Sequence, residues 1–278
     1  MSINYYYHFK YIVFMTSNNP INNPINNIMN LNVPYYMGHD NKSYIVLSRC
    51  PEALIQYSEQ NYNRLRDLIK TSDELSRVMV FNKNYDEPKL IEKTIHRWYK
   101  SYLNTPTYPI NQVNKSYMFS GIDKREIENK GLPSRFKPYL DYFRRIDIRY
   151  NQVVANLYET DNHYIDYHRD WTYGMMKNYS ISILNINEPR SINRIFKIQE
   201  IATNRVTTIT LTNGLIITMG GEFQTYFRHG IDIVNSKNSK NSKNTNNNMN
   251  NNMNNNMNNN MNTMNNSGRI GITFRQFY

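Results

Sequence analysis

From Tyr150 onward the chain reads as a succession of short extended segments with no helix between them, and this limits the fold more than any other feature. Candidate strands cover 151–158, 164–168, 179–186, 193–198, 205–211, 214–219, 224–231 and 269–277. They are rich in Val, Ile, Thr, Tyr and Phe, and Gly, Asn, Asp, Pro and Ser, the turn-making residues, fall between them. Strands that follow one another without crossover helices cannot build a parallel α/β sheet. They predict a sandwich, barrel or jelly roll, so the fold class is α+β and mainly β.

The helical signals lie before this region. One helix is expected at 52–70, after Pro51. A second is expected from Pro88, a good first-turn residue. There Ile91, Ile95, Trp98 and Tyr102 step by 4, 3 and 4 and form one helical face. A short amphipathic helix at 134–145 carries Phe136, Leu140 and Phe143. The organisation read from this is an Asn-rich, disordered leader at 1–40, a helical extension at 41–104, and a mainly β domain at 105–278. An Asn-rich insertion at 235–267 interrupts that domain between two strand segments. Its Asn-Asn-Asn-Met repeat sets Met249, Met253, Met257 and Met261 four apart, a helical spacing. Asparagine is a poor helix former, however, so the expectation is an expanded, disordered surface insertion.

Composition narrows the class. Cys50 is the single cysteine, which excludes internal disulfides and cysteine-based zinc sites. The apolar run from Tyr11 to Met15 is too short for a membrane span or a signal sequence, so the expected protein is soluble and intracellular, with no membrane partner. Lys and Arg number 33 against 22 acids, a net charge of +11 that favours polyanions such as nucleic acid. An AT-rich genome would also inflate Lys, so charge alone does not decide the partner.

The chemistry concentrates in two places. Tyr-His-Arg-Asp puts His168 and Asp170 two apart, and on an extended backbone residues i and i+2 share a face. His229 follows another candidate strand. Two histidines and one carboxylate make the facial triad that leaves metal positions open in non-haem Fe(II) oxygenases. With 6 histidines and 22 acids in 278 residues, chance supplies about half of one such pair, so context must decide. His163, the nearest competitor, reads as a turn or surface residue.

The context is Arg269-Ile-Gly-Ile-Thr-Phe-Arg275, in which 269, 271, 273 and 275 share one strand face. It could be a surface strand with two solvated arginines. If instead both arginines are buried, they demand an anion, and a small dicarboxylate would satisfy both. Asn156 and Tyr158, also two apart, add neutral hydrogen-bonding groups to one face of another strand.

These segments resemble the AlkB family of dioxygenases, most closely its DNA-repair branch. The resemblance runs from about Tyr117 to Tyr278 and skips the Asn-rich insertion. It takes in Tyr-Met-Phe-Ser-Gly at 117–121, Tyr-Asn-Gln-Val-Val-Ala-Asn-Leu-Tyr at 150–158 and His-Arg-Asp at 168–170. It continues through Ser-Ile-Ser at 180–182, Asn-Gly-Leu-Ile-Ile-Thr-Met at 213–219 and His-Gly-Ile at 229–231, and closes with Arg269 to Arg275.

The resemblance implies a double-stranded β-helix (jelly roll) preceded by a substrate-recognition lid. It implies Fe(II) held by His168, Asp170 and His229, and 2-oxoglutarate held by Asn156, Tyr158, Arg269 and Arg275. Arg269 would take the distal carboxylate and Arg275 would lie near the metal-bound end. Tyr117, Phe119 and Ser120 would belong to the lid. Phe119 would stack on a flipped base, although a core aromatic on a hairpin fits its position equally well. The implied activity is oxidative demethylation of alkylated DNA or RNA bases by a monomer, with release of formaldehyde and succinate.

The chain also departs from the pattern. Trp171-Thr172-Tyr173 stands where base-repairing relatives carry acids, Gly271 replaces a cosubstrate-binding asparagine, and Leu184 replaces a glycine. The missing acids favour a different oxygenase substrate, a protein side chain or a tRNA modification. A nucleic-acid-binding module with a degenerate site is the third possibility.

Overall fold

A computed structural model of the chain describes residues 31–38, 41–82, 89–103, 131–172, 175–176, 178–234 and 268–277. All eight candidate strands from 150 onward are present: β6 (Gln152–Tyr158), β7 (Ile165–His168), β8 (Ser180–Asn187), β9 (Arg194–Glu200), β10 (Val206–Leu211), β11 (Leu215–Gly221), β12 (Phe227–Ile231) and β13 (Arg269–Arg275). A short helix, α3 (Phe223–Tyr226), leads into β12. Five strands precede them: β1 (Pro34–Met37), β2 (Ser43–Arg49), β3 (Arg77–Asn82), β4 (Lys89–Thr94) and β5 (Trp98–Leu103).

The strands form an antiparallel seven-stranded sheet, β1-β2-β11-β8-β13-β6-β5, and a four-stranded sheet, β10-β9-β12-β7, with β3 and β4 paired apart. From β6 to β13 the chain passes back and forth between the two larger sheets, which is the winding of a double-stranded β-helix. The fold is therefore mainly β with few helices, as expected.

Burial explains why the large sheet reads as near-continuous apolar sequence. Val153, Ala155 and Leu157 of β6 and Ile270, Ile272 and Phe274 of β13 form a core with α1 (Glu52–Ile69) and α2 (Lys137–Ile146). The alternate residues of the same strands face the small sheet across a second core that includes Phe196, Ile198 and Phe227. A strand covered on both faces loses the polar alternation of a half-exposed one.

The helices expected at 52–70 and 134–145 form essentially where they are placed by the sequence. α1 buries Ile55, Ser58, Tyr62, Leu65 and Ile69 on one face, with Glu52 in its first turn and Arg66 in its last, as the helix dipole favours. α2 follows a turn of 3-10 helix (Ser134–Phe136), and Phe143 stacks on Phe274 at 3.9 Å between ring centroids.

Two expectations for the N-terminal part fail. Residues 89–102 are not a helix: β4 and β5 occupy the stretch, and the three-residue step from Ile95 to Trp98 is the connection between them. A spacing of four is even, so Trp98 and Tyr102 share a strand face as readily as a helical one. The 41–104 segment is also not a separate helical extension. β2 pairs with β11 and β5 pairs with β6, so both lengthen the large sheet. At the end of the leader, 34–37 pairs with β2 as an edge strand. The Asn-rich insertion and most of the leader lie outside the described residues.

Candidate metal centre

His168 and His229 come together because β7 and β12 are antiparallel neighbours and the two residues face each other in register. Directly opposed residues place their Cβ atoms about 5 Å apart, and the two imidazole centroids lie 4.4 Å apart. The strands can approach this closely because residue 230 is glycine. A Cβ there would sit 2.7 Å from the carbonyl oxygen of Ile165. Asp170, two residues past His168, turns its carboxylate to the same point, and one ligand atom from each of the three lies within 4.8 Å of the others.

Each donor is held from behind. The Asp166 carbonyl can only accept, so at 2.9 Å it makes His168 Nδ1 the protonated nitrogen and leaves Nε2 with its lone pair. His229 is fixed by packing, its ring stacked on Phe196 at 5.4 Å. The Asp170 backbone N–H donates to Gln224 Oε1 at 2.8 Å, and Arg275 donates to Asp170 Oδ1.

The other carboxylate oxygen, Oδ2, has no hydrogen-bond partner among the described residues and stands 3.7 Å from His229 Nε2. That is too long for a hydrogen bond. It is no ion pair either, since burial, then His168, push His229 down to about 3 and keep the ring neutral. Burial alone would raise the Asp170 carboxyl, but Arg275 first, then His229 and His168, outweigh it and hold it below the ordinary carboxylate range. Two neutral imidazoles and an ionised carboxylate, with an unshared oxygen aimed among them, are the protonation states a divalent metal needs.

The cluster opens on a cavity between the two sheets. Asn156 and Tyr158 of β6 and Arg269, Gly271, Thr273 and Arg275 of β13 line it, so the expected residues share one cavity. The reading of two solvated arginines does not hold, because Arg269 is 2% exposed and Arg275 4%. Arg269 donates through Nε to Asn185 Oδ1 and lies over the Tyr158 ring at 5.0 Å, while its Nη1 has no partner among the described residues. Gly271 makes room for it, since a Cβ there would lie 2.8 Å from Arg269 Nη2. A partnerless N–H of a buried guanidinium suits a carboxylate ligand.

Three contributors were missed in the sequence: Gln224, Asn185 and Arg97, the last of which also lines the cavity. None belongs to a spaced motif. Tyr117, Phe119 and Ser120 lie outside the described residues. His163 is in a turn, as read, but is buried rather than on the surface. Its Nδ1 accepts from the Glu159 backbone N–H at 2.9 Å. No helix among the described residues is long and apolar enough to cross a membrane.

A His-x-Asp…His donor set inside a double-stranded β-helix defines a mononuclear non-haem metal oxygenase. The family model for the 2OG-Fe(II) oxygenase superfamily matches residues 63–275, and the chain belongs to that superfamily. It is a dioxygenase that uses Fe(II) and 2-oxoglutarate. No curated protein matches it. Among solved structures, one described as the structure of OsALKBH1 is 13% identical over 84% of this chain and 97% of that one, with a TM-score of 0.38. A prolyl-4-hydroxylase from Pseudomonas putida is 9% identical over 84% and 92%, with a TM-score of 0.42.

Proposed function

We propose that the chain is an AlkB-like oxidative demethylase of N-alkylated bases in DNA or RNA. The observation that carries the chemistry is the pair of buried guanidiniums on one face of β13 beside the His168–Asp170–His229 cluster. His168, Asp170 and His229 would hold Fe(II). Arg269, positioned by Asn185, would take the distal carboxylate of 2-oxoglutarate. Arg275 would lie at the metal-bound end, where it also orients Asp170. Asn156 and Tyr158 would complete the cosubstrate's hydrogen bonds.

Bound together, metal and cosubstrate supply O₂-dependent oxidation of a C–H bond, with succinate and CO₂ released. The protein's part is to orient both, to keep the imidazoles neutral and to exclude bulk water. Hydroxylation of an N-methyl carbon gives a hemiaminal that releases formaldehyde.

The order of AlkB-like segments from 117 to 275 and the net charge of +11 support a nucleic-acid substrate. Tyr117, Phe119 and Ser120 would contact it from the lid, and the target base would leave its stack to reach the metal. We propose that it acts as a monomer inside the cell. One observation favours a second reading. Trp171-Thr172-Tyr173 lacks the acids that hold cationic bases, which suits an oxygenase acting on another substrate class.

The test is succinate and formaldehyde release from a panel of N-methylated single-stranded DNA, duplex DNA and RNA oligonucleotides, beside His168→Ala. Stoichiometric formaldehyde that disappears in the variant is the expected result. Succinate with no formaldehyde from any oligonucleotide would move the substrate to the second reading.

A further inference from the structure

Beyond the two arginines of β13, a third guanidinium reaches the cavity from outside the double-stranded β-helix. Arg97 sits in the β4–β5 connection, is 4% exposed, and lines the cavity together with Tyr99 of β5. Its position is built. The His96 carbonyl accepts from the Tyr164 backbone N–H at 3.1 Å, the His96 ring stacks on Tyr164 at 4.4 Å, and the Arg97 carbonyl accepts from the Ser76 N–H at 3.4 Å. Arg97 Nε donates to Asn156 Oδ1 at 2.7 Å, which also settles the amide's orientation and points its NH₂ elsewhere. Asp170 is the one carboxylate among the described residues that line the cavity, against the guanidiniums of Arg97, Arg269 and Arg275.

The cavity's anions are already assigned. Asp170 shares its carboxylate between Arg275 and the metal position, and a dicarboxylate cosubstrate brings one carboxylate for Arg269 and one for the metal and Arg275. Arg97 is left as a third cation in the cavity wall with no anion assigned to it. A buried guanidinium in the cavity wall favours a substrate that brings acceptors and repels one of like charge.

Resting on the demethylase reading above, we propose that Arg97 selects the substrate: the enzyme takes neutral N-methylated bases that present acceptor oxygens or nitrogens, and rejects cationic ones. The absence of acids at 171–173 agrees, because a cationic base would meet a guanidinium and no carboxylate there.

A matched pair tests this. N3-Methylthymine is neutral and offers two carbonyl oxygens. N3-Methylcytosine carries its methyl at the same ring atom but is cationic at neutral pH. In single-stranded oligonucleotides the wild-type chain should favour N3-methylthymine by at least about tenfold in kcat/KM. Arg97→Met should bring the ratio to within about threefold of unity. Arg97→Lys, which keeps the charge but loses the planar fork, should still reject the cation while KM for N3-methylthymine rises. Should Arg97→Met fail to fold, Arg97→Lys decides, and loss of rejection there overturns the proposal.

A wild-type preference for N3-methylcytosine overturns it too. So does a folded Arg97→Met that keeps the wild-type ratio, and if its KM for 2-oxoglutarate has risen, Arg97 is a cosubstrate residue instead. Succinate with formaldehyde from neither oligonucleotide sinks the nucleic-acid reading itself and this inference with it, a result distinct from a wrong preference between two working substrates.

Discussion

Gly271→Ala tests the cosubstrate cavity with a single methyl group. The new Cβ would stand 2.8 Å from Arg269 Nη2 and 3.2 Å from Cζ and Nη1, against a comfortable contact of about 3.5 Å. Backbone neighbours leave β13 nowhere to go, because β6 and β8 pair with it on both sides at Gly271. The guanidinium must therefore move, although Asn185 and the Tyr158 ring hold it. Hydrogen bonds to charged groups are worth about 1.5–3 kcal/mol. Misaligning such a contact with the distal carboxylate by part of an ångström should forfeit about 1.4 kcal/mol, or tenfold. KM for 2-oxoglutarate should rise about tenfold, with kcat at saturating cosubstrate within about twofold, because the interaction is made equally in ground and transition states. Succinate formation against 2-oxoglutarate concentration measures both. An unchanged KM in a folded variant would refute the placing of Arg269 at the distal carboxylate.

Other consequences can be checked with simpler assays. Gly230→Ala puts a Cβ 2.7 Å from the Ile165 carbonyl oxygen, a backbone atom that cannot step aside; β7 must shift with His168, and Fe(II) affinity by titration should fall at least tenfold. Phe143→Ala removes a 1%-exposed ring stacked on Phe274 and should cost about 3–5 kcal/mol in urea unfolding. Burial chiefly, with Arg194, His96 and Lys70 assisting and Glu159 opposing, lowers the His163 pKa below the ordinary histidine value. The folded state thus prefers the neutral ring, and the stability it contributes is complete above about pH 6.5 and lost as pH falls through the lowered folded value. Melting temperatures between about pH 8 and 5.5 should fall more in the wild type than in His163→Gln; parallel curves would refute this.

What could be read in the sequence follows from how local each signal is. His168 and Asp170 are adjacent on one strand face, so spacing alone brings them together. Arg269 and Arg275 are legible for the same reason. Arg97 is not, because only the pairing of β5 with β6 carries it to Asn156, 59 residues away. Asn185 and Gln224 act through one hydrogen bond each to a functional residue, and nothing local distinguishes them from other buried amides. The strands after 150 declare themselves because turn residues punctuate them. β5 was hidden because Trp98 and Tyr102 satisfy two periods at once. β2, Ser-Tyr-Ile-Val-Leu-Ser-Arg, does alternate, but the chain has to return 166 residues later as β11 before its partner exists.

The place of β13 sets an order of events during synthesis. Of the strands among the described residues it is the last to be synthesised, yet it lies between β6 and β8 in the interior of the large sheet. Until Arg269–Arg275 emerges, β6 and β8 each present an unpaired edge to solvent or to a chaperone. The two halves of the sheet are joined, and Arg269 and Arg275, the arginines proposed for the cosubstrate, reach the cavity in the same step. A nascent chain stalled before residue 269 could already hold His168, Asp170 and His229, the candidate metal ligands, but would have no closed sheet to put them in.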